Sequence, residues 1–218
     1  MNLKENYLNE ISQLKNERIE RVIEAAKIEF NEKGIKNSKL IVIAKRANVG
    51  EASIYRYFKD KDDLIKKVSV SYWQSHTNFF DDNYSVTISK KDTGLQKVEM
   101  SLNIFQYLFI KHNAFIKFAK DFDCYYSNEE VALSDNSSQE TICSFKKRFI
   151  IVFNEGIQDG TINPEFNGLG MYNFISRVMT STTQMLSTRN GSLHEEDPDY
   201  PINFLNSIIK MFIKYIKT

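Results

Sequence analysis

Apolar residues recur at intervals of three and four along most of this chain, the period of an α-helix with one covered face. Ile19, Val22, Ile23, Ala26 and Phe30 place such a stripe on a first helix, and Gly34 follows Lys33 where a left-handed residue ends one. Tyr7, Ile11 and Leu14 continue the spacing upstream of Arg18 and extend that helix toward the N-terminus. Ser38 stands where it can N-cap a short second helix, whose Ile43, Ala44 and Ala47 face inward while Lys45 and Arg46 point out. Asn48, Val49 and Gly50 then form a tight turn, asparagine being a residue that tolerates left-handed backbone. A third short helix follows from Glu51 to Tyr57. Asp60 caps a fourth, with Asp62 and Asp63 in its first turn and Leu64, Ile65 and Val68 as its covered stripe.

Beyond Val68 the pattern predicts longer helices over 61–83, 94–111, 113–122, 139–158, 168–188 and 199–217. Their stops are Gly160 with Pro164, Gly191, and Pro198 with Pro201, and loops are expected over 84–93 and 134–138. With 3 Pro and 8 Gly in 218 residues there are few breaks, which favours an all-α chain over many short strands. The expected organisation is a three-helix helix-turn-helix domain over 1–68 and a larger helical domain over 69–218. Apolar runs such as Asn103 to Ile110 fall far short of the ~20 residues a membrane span needs, so no membrane partner is expected. The N-terminal segment carries acids and amides where a signal peptide needs an apolar stretch, which predicts a cytoplasmic protein. Cys124 and Cys143 have neither CxxC nor metal-finger spacing and read as two reduced thiols; no cofactor and no metal is expected.

Net charge is only +1, but its distribution changes the picture. Residues 33–67 hold ten Lys/Arg against four acids, while the rest of the chain is faintly acidic. A basic segment on an acidic body suits a nucleic-acid-binding module, and equally an ordinary lysine-rich solvated face. Three short helices ending in a basic, aromatic-rich third one, followed by a capped fourth, match the geometry in which a recognition helix enters the major groove.

The residues make the match specific. Ala26, Phe30, Gly34, Ile43-Ala44, Ala47, Val49, Ser53-Ile54-Tyr55, Tyr57-Phe58, Lys61 and Leu64 recur at the spacings of one family. The run from Arg18 to Val68 resembles the N-terminal domain of the TetR family of bacterial transcriptional regulators. The resemblance implies a phosphate contact for Ser38, with Lys39 beside it, at the start of the second helix. It places Gly50, Glu51, Ala52 and Ser53 at the groove-facing end of the recognition helix, turns the hydroxyls of Tyr55 and Tyr57 toward phosphates, adds the charge of Lys61, and leaves Ile54 and Phe58 as core. Amides at a helix N-terminus and small side chains near base edges suit those roles. Tyr55 also fits a half-buried core tyrosine, since aromatic stripes at helical spacing are usually packing. The chain departs from the family pattern in Asn48 for the turn glycine, Gly50 for a capping serine, and Ile41 and Val42 where polar residues are common. Glu51 is an acid on the DNA face, able to accept from a cytosine amine or to repel nonspecific DNA.

For the rest of the chain the resemblance implies a helical domain that dimerises and holds a small ligand. Ile175, Val178 and Met179 with Leu205, Ile208 and Phe212 form apolar faces that fit a four-helix interface between two subunits, or an intrachain hairpin. Phe105, Phe109, Phe118 and Phe122, with His112 or Asn113 as a polar anchor, are the candidates for lining a largely apolar effector site. His76, His112 and His194 lack the Glu three residues upstream that di-iron bundles use, and no Walker loop or nucleophile elbow is present, so no enzyme is expected. The expectation is a DNA-binding regulator, a repressor acting on a palindromic operator as a homodimer. The alternative is a helical ligand-sensing or scaffold protein without sequence-specific DNA binding.

Overall fold

A computed structural model describes residues 3–87, 89, 91–126, 136–189 and 197–218. Among these residues the backbone forms ten helices and no strand. They are α1 (Leu3–Lys33), α2 (Leu40–Arg46), α3 (Glu51–Tyr57), α4 (Lys61–Thr87), α5 (Gly94–Leu102), α6 (Ile104–Lys111), α7 (Asn113–Tyr125), α8 (Asn136–Gln158), α9 (Gly168–Arg189) and α10 (Tyr200–Ile216). The all-α expectation holds. Contacts divide the chain into two compact units, residues 1–72 with 121–132, and residues 73–120 with 133–218. The boundary expected at residue 68 thus falls inside α4, and the N-terminal unit takes in a second stretch of chain from the end of α7.

In the N-terminal unit, Val22, Ile23, Ala26 and Phe30 of α1 are buried together with Ile35, Ile43, Ala44, Ile54, Phe58, Leu64, Ile65 and Val68. Each such large side chain contributes about 1.5–3 kcal/mol on leaving water. Gly34 ends α1 at φ +78, and Asn48 makes the α2–α3 turn at φ +54, as the sequence predicts. Arg46 ties α2 to α1 through Glu32 at 2.6 Å and Glu29 at 3.3 Å. The start of α4 is capped as expected: Asp63 N–H donates to Asp60 Oδ1 at 2.8 Å, and Lys59 N–H donates to Asp63 Oδ2 at 3.1 Å. The cap expected for α2 is not formed. That helix begins one residue later, behind Lys39, and Ser38 turns inward, donating to Gly34 O at 2.7 Å and Glu29 O at 3.2 Å. Upstream, α1 is one continuous helix, and Tyr7, Leu8, Ile11 and Leu14 are exposed along its first half.

In the second unit, α5 and α8 cross backbone to backbone at Gly94 and Gly156, where a Cβ on Gly94 would overlap the Gly156 backbone. Gly94 N–H donates to Asp159 Oδ2 at 2.7 Å, and Lys97 pairs with Glu155 at 2.6 Å across the same crossing. A capping box of Thr93 and Gln96 starts α5. The single helix expected over 94–111 is two, because the chain tightens into a turn at Asn103, where Gln106 N–H reaches Asn103 O at 3.1 Å. Helix α4 runs to Thr87 and α8 begins at Asn136, so 84–87 and 136–138 are helical where loops were expected. Ser134, Gly191 and His194 lie outside the described residues, as do the side chains of His76 and Cys143. No helix among the described residues is long and apolar enough to cross a membrane.

Candidate nucleic-acid interface

Helix α3 has two faces. Ile54 and Phe58 point into the core, within 2% of complete burial, while Glu51, Ala52, Tyr55 and Arg56 are exposed. Tyr55 is 56% exposed, which removes the core reading left open for it and leaves its hydroxyl available outward. Gly50 opens the helix in an extended conformation, φ −66 and ψ 145, with no side-chain cap. Ser53 is half-buried, and its Oγ accepts from Arg56 Nη2 at 3.1 Å. The guanidinium of Arg56 lies 5.4 Å from the centre of the Tyr57 ring. Tyr57 sits beside two guanidiniums, and its hydrogen bond from Arg18 does most to hold its phenol below the usual value. A phenol held below its usual pKa is the better hydrogen-bond donor.

Lys39 is exposed beside the start of α2, whereas Ser38 is buried with its hydroxyl already donated inward. Lys61 is half-buried: its ammonium donates to Ser38 O at 2.7 Å and Lys36 O at 3.2 Å, and burial pushes its pKa down. Ile41 and Val42 are exposed on α2, so that helix offers apolar rather than hydrogen-bonding groups outward. Arg18 and Arg56 are the residues that reading the sequence for this site missed. The signal for Arg56 was its place three residues after Ser53 on a helix turn; Arg18 gave none, because its partner lies 39 positions away.

The effector-site candidates fall at buried and half-buried positions. Phe109 and Phe118 are buried, Phe105 is half-buried edge-on to Phe145 with ring centres 6.3 Å apart, and His112 lies 5.4 Å from the Tyr107 ring. Burial lowers the pKa of His112 below its usual value. Phe122 belongs to the N-terminal unit, against Tyr126 at 4.8 Å. Of the interface candidates, Ile175, Met179, Leu205 and Phe212 are at most 4% exposed in the single chain, while Val178 and Ile208 are half-buried. Among the described residues, the large apolar side chains of α9 and α10 that face outward are Leu169, Phe174, Met185, Met211 and Tyr215.

Residues 22–68 match the family described as bacterial regulatory proteins, tetR family. The chain is 24% identical over 159 residues to the "Probable HTH-type transcriptional regulator YttP" of Bacillus subtilis, covering 73% of this chain and 72% of that protein. Among solved structures, the transcriptional regulator FadR from Bacillus subtilis, crystallised with stearoyl-CoA, superposes at a TM-score of 0.63. It is 19% identical and covers 90% of this chain and 98% of its own. A TetR transcription regulator from Haloarcula marismortui superposes at 0.67, with 14% identity, over 93% of this chain and all of that one. The ketosteroid transcriptional regulator KstR2 of Mycobacterium tuberculosis superposes at 0.60 with 15% identity, over 92% of this chain and 95% of its own. At these identities the structural likeness establishes the fold.

Proposed function

We propose that this chain, which belongs to the tetR family of bacterial transcriptional regulators through residues 22–68 and is not an enzyme, binds a palindromic operator as a homodimer and represses transcription in the cytoplasm. The observation that carries the reading is α3, with Ile54 and Phe58 locked in the core and Glu51, Ala52, Tyr55 and Arg56 outward beside a half-buried Ser53. One such helix reads too few base pairs for useful specificity, so two-fold symmetry and matching half-sites follow. In this reading Ala52 and Ser53 approach base edges, Tyr55, Tyr57 and Lys39 approach phosphates, and Glu51 selects against the wrong base or the wrong DNA.

Dimerisation falls to the second unit. The exposed Phe174 and Met185 of α9 and Met211 and Tyr215 of α10 are the outward counterparts of the buried Ile175, Met179, Leu205 and Phe212. Two such faces together form a four-helix seam, with the half-buried Val178 and Ile208 at its edges. The same unit is the place for a small, largely apolar effector, near Phe105, Phe109, His112 and Phe118; a relative of the same fold was crystallised with an acyl-CoA. Selection of bound sequences from random duplex DNA tests the reading. An enriched inverted repeat is expected, with affinity falling steeply as salt rises. Folded protein that enriches nothing would favour a scaffold role, for which the exposed Ile41 and Val42 of α2 would be the contact surface.

A further inference from the structure

The six residues between α1 and α2, 34–39, are gripped by two side chains of opposite charge that come from far along the chain. Asp121, in the last turns of α7, accepts a hydrogen bond from Ile35 N–H, and a Cβ on Gly34 would stand 3.4 Å from the same carboxylate. Lys61, the first residue of α4, donates to the carbonyls of Ser38 at 2.7 Å and Lys36 at 3.2 Å. The anion thus takes an amide of the segment and the cation takes its carbonyls, each the matching polarity, and the two charges attract one another. One turn beyond Asp121, Tyr125 donates to Asp62 Oδ1 at 3.2 Å, so the end of α7 also holds the neighbour of Lys61. Within the segment, Ser38 Oγ closes onto Gly34 O and Asn37 Nδ2 donates to Lys33 O at 3.1 Å.

We propose that Asp121 and Lys61 are positioning residues for DNA binding, a clamp of opposite charges that fixes where α2, and with it the α2–turn–α3 unit, sits on α1. The ammonium of Lys61 is committed to the clamp and not to a phosphate. The inference rests on the DNA-binding reading above. Its physical basis is that a hydrogen bond to a charged group is worth roughly twice a neutral one, and that a loop with both ends of its dipoles held has one arrangement instead of several. Neither residue touches DNA in this account, yet both set the affinity for it.

The test uses the full chain, a mixed-sequence duplex of about 30 base pairs, and the variants Asp121→Ala, Asp121→Asn and Lys61→Met. Without DNA, amide exchange at Ile35 should speed up by about tenfold or more in Asp121→Ala, the scale of a lost charged hydrogen bond. Asp121→Asn keeps an acceptor oxygen and should recover part of both the protection and the duplex affinity. Lys61→Met should weaken binding while the slope of log Kd against log salt stays as in the wild type, because no phosphate contact is lost. A slope smaller by about 0.9 would mean Lys61 does neutralise a phosphate and would overturn its assignment. Asp121→Ala with unchanged Ile35 exchange, or with faster exchange and unchanged affinity, would overturn the clamp. Wild-type protein that binds no duplex while Ile35 responds as described would instead sink the DNA-binding reading, and the clamp's role with it.

Discussion

Replacing Gly94 by alanine adds one methyl group at the crossing of α5 and α8, and the structure sets its cost. The new Cβ would overlap the backbone of Gly156 and stand 2.8 Å from the carbonyl carbon of Glu155. Carbon atoms pack favourably at about 3.5–4.0 Å, so the Glu155 contact alone demands a parting of about 0.7 Å and the closer overlap with Gly156 demands more. No rotamer relieves the clash, because a Cβ has no torsion of its own and the atoms it meets are backbone. Parting the helices stretches the Lys97–Glu155 pair and the bond from Gly94 N–H to Asp159, and it thins the packing around the fully buried Val98. A gap of that size forfeits roughly a quarter to a half of each dispersion contact it opens. Overpacking costs about 1–3 kcal/mol and this case belongs at the top of that range, offset by less than about 1 kcal/mol of helix propensity. A net loss of about 2–3 kcal/mol lowers Tm by roughly 5–10 °C in a chain of this length. Gly170→Ala is the control: it lies in the first turn of α9, where a Cβ meets nothing nearer than Asn167 at 4.0 Å. That variant should match the wild type or exceed it by up to about 1 kcal/mol. Urea or thermal unfolding of both variants measures the difference, and two indistinguishable curves would refute the close crossing of α5 and α8.

Phe174→Glu with Met211→Glu should yield a folded monomer by sedimentation, because it places charge on faces exposed in the protomer, whereas Met179→Glu should fail to fold because it buries an unpaired charge. An intact dimer of the double variant would move the interface elsewhere. Ser53→Ala should change preference at one position of each half-site by about 1–3 kcal/mol, while Tyr55→Phe weakens all sequences alike; competition against single-base operator variants separates the two. For His112, burial depresses the folded-state pKa below the usual 6.5, so the unfolded chain takes up its proton first as pH falls. Stability should therefore be flat in this residue's contribution above that value and decline as pH drops through it toward the folded pKa. Urea midpoints for His112→Gln between about pH 7 and pH 5 should show a shallower decline than the wild type, and an equal decline would exonerate His112.

What the sequence disclosed well was whatever neighbouring residues decide among themselves. The stripe of α1, the left-handed Asn48, the Asp60 cap and the inward Ile54 and Phe58 all follow from periods and turn chemistry within a few positions. Partnerships across the chain were not legible. Ile35 and Asp121 are 86 residues apart, and Lys61 reads as a surface cation until the carbonyls of Lys36 and Ser38 are seen beneath it. Ser38 misled in a different way: a serine before a helix reads as a cap, yet its hydroxyl bonds back to Gly34, four residues earlier. In α9 and α10 apolar residues occupy more than one face. Periodicity alone could not say that Met179 and Phe212 are covered by their own chain while Phe174 and Met211 are not.

The composition of the N-terminal unit has a consequence for how the protein is made. Residues 1–72 and 121–132 belong to one unit, and 73–120, which belong to the other, are synthesised between them. Helices α1 to α3 are translated first but cannot be completed in that order, since the carboxylate of Asp121 arrives 64 residues after the end of α3 (121 − 57). At roughly 5–20 residues per second that is a wait of several seconds, during which a nascent chain meets chaperones and its own growing neighbours. A polypeptide stopped after residue 68 is frozen in that interval, with the α1–α2 segment bare of one of its two grips. Such a fragment should exchange its Ile35 amide as freely as the Asp121→Ala protein does, and the DNA-reading unit is finished only once the end of α7 has been made.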